Sequence, residues 1–159
     1  MRGQPYKNGT AQEIERGRFV PANSPQPAVA ARDQSDCEDT DIAGRLAAIA
    51  QAEYIGRRRR NTLFRKSLFA EPAWDMLLDL YVQRHHGRQV SVHNLCVAAA
   101  VPQTTALRWI GKLEASLLIE RSPCPYDNRV VHIALSAEAL ALMEDYLRGQ
   151  LSHAAATFS

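Results

Sequence analysis

The sequence predicts a mainly α-helical chain with one small β-hairpin, an α+β arrangement. Three observations carry that expectation. Apolar residues recur at helical spacing in five segments. Two of those segments are separated by only a few residues. Period-two alternation appears in Val131, Ile133 and Leu135 against Val130, His132 and Ala134, directly after the turn-rich stretch SPCPYDN.

The chain has 159 residues, of which 46% are hydrophobic and 23% charged, as expected for one globular domain with some tail. The formal net charge of +2 decides little by itself, but its distribution is uneven: residues 1–43 hold seven acidic against five basic residues, so the remainder carries the positive excess. Residues 1–40, rich in Pro, Gly, Gln, Asn and Ser, show no sustained period and are expected to form a disordered N-terminal arm. The N-terminus has no apolar signal-like core, and the stretch LCVAAAV ends at Pro102, far short of a membrane span. The expectation is a protein of the cytoplasm and nucleoid, with no membrane partner.

From Thr40 or Asp41 as N-cap, Ile42, Leu46, Ile49 and Tyr54 repeat at helical spacing, and this N-terminal helix is expected to end in the run Arg57 to Arg60, within a segment 41–66. Pro72 then opens a core helix that carries Trp74, Leu77, Leu78 and Tyr81 on one stripe and stops at Gly87. A short extended piece through Val90 leads to an N-cap at Ser91 and a short helix to about Ala99. A tight turn follows, and a further helix begins near Pro102. Two helices joined so briefly must cross steeply. Leu118 to Arg121 suits a strand that pairs with the alternating segment, and Ser136 caps a last helix over Ala137 to Leu147, leaving 151–159 as a tail.

The segment VPQTTALRWIGKLE has an ordinary inner face and an unusual outer one. At about 100° per residue, Ala106, Trp109, Ile110 and Leu113 share one stripe, while Thr104, Arg108 and Gly111 lie near the opposite pole, flanked by Thr105, Leu107 and Lys112. A merely solvated face would favour Glu, Lys and Gln, and would avoid a glycine that costs about 1 kcal/mol against alanine. A DNA major groove suits the set. Arg108 can donate a bidentate pair to guanine, Leu107 can meet a thymine methyl, Thr104 and Thr105 can bond phosphates or bases, and Gln103 in the first turn can read adenine. Lys112 would serve as a phosphate point charge. The plain alternative is an amphipathic helix whose threonines cap its start and whose Arg108 is solvated or paired with Glu114.

Helix, strand, helix, turn, helix, hairpin and helix, in that order, describe a winged helix-turn-helix domain, placed at residues 67–150 with an added N-terminal helix. The run from Ser91 to Leu140, above all VPQTTALRWIGKLEASLLIERSPCPYDNRVVHIALSAEA, resembles the MarR-type transcriptional regulators. The resemblance lies in a recognition helix ending in Leu113 and Glu114, the strand LIER, a wing containing Asp127 and Arg129, and a return strand closing in Leu135 and Ser136. It covers about one third of the chain. It implies a DNA-binding regulator whose wing approaches the minor groove, with Asp127 bracing the wing and Arg129 at or near that groove. Leu117 stands where the family usually has Gly, so the helix terminus is expected to close differently.

The wing tip, Tyr126 to Arg129, is also simply good turn chemistry, with Pro125 and Asn128 favouring the bend. A wing arginine that senses groove shape needs the same loop, and Tyr126 and Asn128 would lie beside it. Arg57, Arg58, Arg59 and Arg60 either complement the negative end of a helix dipole or contact phosphate or an acidic partner.

No metal, cofactor or catalytic group is expected. The histidines form no ligand set, Cys37, Cys96 and Cys124 have neither zinc-like nor disulfide-like spacing, and no nucleophile elbow, phosphate loop or HExxH is present. The function expected is that of a sequence-specific transcriptional regulator binding double-stranded DNA as a homodimer. The alternatives are a winged-helix protein-interaction module and a non-specific DNA-binding protein.

Overall fold

The computed structural model describes residues 33–64, 67–127 and 129–157, all within the unit Arg32–Ser159. Five helices and three short strands follow one another as α1 (Asp33–Phe64), a 3-10 turn (Ser67–Phe69), α2 (Pro72–His85), β1 (Val90–Ser91), α3 (Val92–Ala98), α4 (Gln103–Ala115), β2 (Ile119–Pro123), β3 (Val131–Leu135) and α5 (Ala137–Thr157). This is a winged helix-turn-helix domain behind a long N-terminal helix. No helix among the described residues is long and apolar enough to cross a membrane.

Helices α1, α2 and α5 pack on one another, while α3 and α4 pack on α2 and on each other. One continuous core results, with Leu46, Met76, Leu78, Leu95, Ile110 and Leu147 fully buried. Burial of this apolar surface, at about 25 cal/mol per Å², is the main stabilising term, and the stripes read from the sequence supply it. Ala106, Ile110 and Leu113 are the buried face of α4, and Leu78 and Tyr81 are buried on α2.

The strands form an antiparallel sheet in the order β1-β3-β2. Ile119 faces Leu135, Arg121 faces Ile133 and Pro123 faces Val131, while Val90 pairs with Ile133 from the other side. Val90, Ile119, Ile133 and Leu135 are buried, so period-two alternation turns one side of the hairpin to the core. Pro123 is accommodated because β2 is an edge strand.

Local chemistry sets the helix starts. The Ser91 hydroxyl accepts the Asn94 N–H at 3.2 Å and the Ser136 hydroxyl accepts the Ala139 N–H at 3.1 Å, two caps that the sequence places correctly. Pro72 occupies the first turn of α2, where its missing N–H costs nothing. Gly87, at φ +66°, follows the last turn of that helix.

Three expected boundaries require correction. The arm expected over residues 1–40 falls partly on 33–40, which are helical; residues 1–32 lie outside the described residues. Helix α1 also continues through Phe64, so the arginine run stands inside it, and the last turn carries no basic residue to meet the dipole. At the other end α5 runs to Thr157, taking most of the expected tail into the helix.

The end of α4 does not close differently for lack of glycine. Leu117 adopts φ +58°, its N–H bonds the Glu114 carbonyl at 2.9 Å, and the Leu118 N–H reaches back to the Leu113 carbonyl at 2.9 Å. This is the Schellman pattern, completed by a leucine in the left-handed region. Satisfying the terminal carbonyls outweighs the cost of that conformation, about 1–2 kcal/mol for an L-residue.

Candidate nucleic-acid interface

The turn between α3 and α4 is built from alanines. Ala99 caps α3, Ala100 takes φ +46°, and the Pro102 carbonyl accepts the Thr105 and Ala106 N–H groups at 2.8 and 3.0 Å to start α4. With its inner stripe docked, α4 turns Gln103, Thr104, Leu107, Arg108, Gly111 and Lys112 to solvent. Thr105 is half-buried at the edge of that face.

Arg108 has no hydrogen-bond or ion-pair partner among the described residues. Glu114, its partner in the plain alternative, instead accepts the Arg121 Nε–H at 2.9 Å. That bridge ties the end of α4 to β2 and leaves the Arg108 fork free for another ligand. The Lys112 ammonium lies 4.3 Å from the Trp109 ring centroid, a cation–π contact that places it along the edge of the face.

A Cβ built on Gly111 meets nothing within 4 Å, so packing within the chain does not demand glycine there. The same openness surrounds Gly44, Gly56 and Gly149, so openness alone does not mark a contact point.

In the wing, the Cys124 N–H bonds the Val130 carbonyl at 2.9 Å and the Val130 N–H bonds the Asp127 carbonyl at 3.0 Å. The Asp127 carboxylate accepts the backbone N–H of Arg129 at 2.9 Å, an Asx-type brace that does not use the guanidinium. Arg129 is exposed, and Tyr126 is 95% exposed at the tip. Asn128 lies outside the described residues.

The arginine run does not make one basic patch. Consecutive residues on a helix point about 100° apart, and the four separate accordingly. Arg57 turns inward, 9% exposed, and donates from Nε to Asp75 at 2.6 Å and from Nη1 to Glu71 at 3.0 Å. Burial disfavours its charged form, but the two carboxylates outweigh that and raise its pKa. It is an internal ion-pair partner and no phosphate contact. Arg58 stacks over Tyr54 with its guanidinium carbon 4.8 Å from the ring centroid, and Arg60 lies over Phe69 at 5.1 Å. Arg59 is the exposed member of the run.

Two networks escaped the sequence. Glu53 accepts the Trp74 indole N–H at 2.5 Å and the Tyr146 hydroxyl at 3.3 Å, joining α1, α2 and α5, and the two rings meet edge to face at 4.9 Å. Tyr54, expected only as a stripe residue, donates its hydroxyl to the Ala98 carbonyl at 3.1 Å. The periodicity that put Glu53, Tyr54 and Trp74 on helices carried no signal for pairings between helices.

Elsewhere the described residues offer little reactive chemistry. No group of three or more His, Cys, Asp or Glu among the described residues is arranged to hold a metal ion. Cys96 is buried, and burial pushes its thiol pKa up, away from the reactive thiolate.

No family model and no curated protein matches the chain. Solved structures do. The chain is similar to S. aureus MepR in its DNA-binding conformation, at 14% identity and a TM-score of 0.46, over 69% of this chain and 80% of that one. It is similar to a cysteine-to-serine mutant of E. coli MarR at 19% identity and a TM-score of 0.42, over 69% and 78%. For a glutamine-to-proline mutant of MepR from a multidrug-resistant S. aureus clinical isolate the values are 22% and 0.40, and there the chain spans 45% of its own length and about half, 53%, of that chain. All three are MarR-type winged-helix regulators.

Proposed function

We propose that this chain is a sequence-specific DNA-binding transcriptional regulator, with α4 entering the major groove and the hairpin loop approaching the adjacent minor groove. The observation that carries the proposal is the outer face of α4: an exposed Arg108, unpartnered among the described residues, beside Thr104, Leu107 and Gln103, on a helix whose other side is buried in the core. Arg108 reads bases, Gln103, Thr104, Thr105 and Lys112 fix register on bases and phosphates, and Arg129 lies at the minor groove with Tyr126 and Asn128 beside it. Asp127 holds the loop in shape.

The protein acts as a homodimer in the cytoplasm, on nucleoid DNA, through the faces of α1 and α5 that leave Ile55 and Leu142 exposed. Its operator is a pseudo-palindrome with half-sites about one helical turn apart. Hydroxyl-radical footprinting on its own upstream region tests this: two protected patches on one face of the duplex support the proposal, and continuous or absent protection refutes it.

A second reading, a protein-interaction module, draws on the exposed Leu63, Phe64 and Leu68 near the end of α1. It requires no sequence preference on DNA.

A further inference from the structure

We propose that Tyr54 is the positioning residue of the recognition helix, a strap from α1 to the turn from which α4 starts, and its effect on affinity rests on the DNA-binding reading above. The Tyr54 hydroxyl donates to the Ala98 carbonyl at 3.1 Å, across 44 residues of sequence. Ala98 is the last residue of α3, and its carbonyl is among those that a helix end leaves without an internal partner. Next come Ala99 and then Ala100, held at φ +46° against the preference of an L-residue, and α4 begins at Gln103. The strap therefore acts on the backbone that sets the start of α4.

It also acts alone. Helix α1 packs chiefly on α2, on the 3-10 turn and on α5. Among the described residues no other side-chain hydrogen bond or ion pair joins α1 to α3 or α4.

Tyr54 is itself held in place. Arg58 Nη2 donates to its oxygen at 3.2 Å, with the guanidinium over the ring, and the same nitrogen lies 3.8 Å from the Asp75 carboxylate that Arg57 grips. A chain of polar contacts thus runs from the buried ion pair between α1 and α2, through Arg58 and Tyr54, to the turn before α4. A change that moves Tyr54 itself, including one set by docking of α1 on a second copy, reaches the DNA-facing helix by this route. The ring borders an open cavity of about 380 Å³ shared with Asp79, Gln83, Asn94 and Val97. Phenylalanine can keep the ring and its stacking there while losing only the hydroxyl.

The test is Tyr54→Phe in the full chain, with Tyr146→Phe as the control that removes a tyrosine hydroxyl bond between α5 and α1. Segment-resolved amide exchange is measured together with affinity for a duplex that the wild type binds. In Tyr54→Phe, amides over Ala99 to Ala106 should exchange about fivefold faster while those of α2 and α5 keep their protection. Affinity should fall by about three- to tenfold with an unchanged salt slope, because the phosphate contacts are the same. Tyr146→Phe should change neither readout. Unaltered exchange over Ala99 to Ala106, or acceleration spread equally over every segment, overturns the strap. If the wild type binds no duplex, the regulator reading falls separately and the exchange measurement still decides the strap.

Discussion

Arg57 Nε and Asp75 Oδ1 lie 2.6 Å apart with side chains only 9% and 1% exposed, so the first residue of a run of four arginines is the buried joint between α1 and α2. Removing one partner leaves an uncompensated charge inside the protein. Arg57→Ala should therefore cost about 3–5 kcal/mol. Arg59→Ala, on another face of the helix and exposed, should stay within about 0.5 kcal/mol of the wild type. Urea unfolding of the two variants checks the contrast.

Leu117 is 71% exposed at φ +58°, so glycine there gives up little burial and relieves the backbone. The relief exceeds the extra unfolded-state entropy of glycine, and Leu117→Gly should stabilise by about 0.5–1 kcal/mol. Ala100→Gly should act in the same direction. Thermal midpoints check both, and a fall in either would contradict the left-handed assignment.

Asp79 is half-buried and accepts a hydrogen bond from Gln83 Nε2 at 3.2 Å. Burial raises its pKa, and the Gln83 bond and the charge of Arg58 offset this only in part. With the folded pKa above the unfolded one, the folded state binds more protons between the two values. The penalty for ionisation is then full at neutral pH and disappears as pH falls below the unfolded carboxylate range. Asp79→Asn should be more stable than wild type at pH 7, with the gap closing towards pH 4. Urea midpoints at both values measure it, and a gap that widens on acidification would contradict the sign.

Arg108→Ala should reduce discrimination between matched and mismatched duplexes by about 1–3 kcal/mol, concentrated at one position in each half-site. Lys112→Ala should weaken all duplexes alike and make the salt slope shallower by about 1. Competition binding against a panel of single-base variants separates the two.

Much of this architecture was legible in the sequence because it rests on short-range chemistry. Ser91 and Ser136 cap helices through their own nearby amides, and the alternation through Val131, Ile133 and Leu135 turns one side of a hairpin inward wherever that hairpin docks. The early start of α1 was not legible, since residues 33–40 are polar and carry no apolar period, although acidic residues suit a helix N-terminus. Nor could the sequence tell Arg57 from Arg59: their difference depends on Asp75, 18 residues after Arg57 and on another helix. The outer face of α4 was readable by angle alone. Its freedom from intrachain pairing was not, because the pairing of Glu114 with Arg121 depends on where β2 lies against the end of α4.

The central claim is tested most directly by fluorescence anisotropy with a fragment of the gene's own upstream region and a scrambled duplex of equal length, each across a salt series. The account predicts binding to the native fragment on the order of a thousandfold tighter, with steep salt slopes on both duplexes. Equal affinity for the two duplexes, or binding to neither at low salt, would contradict a sequence-specific regulator.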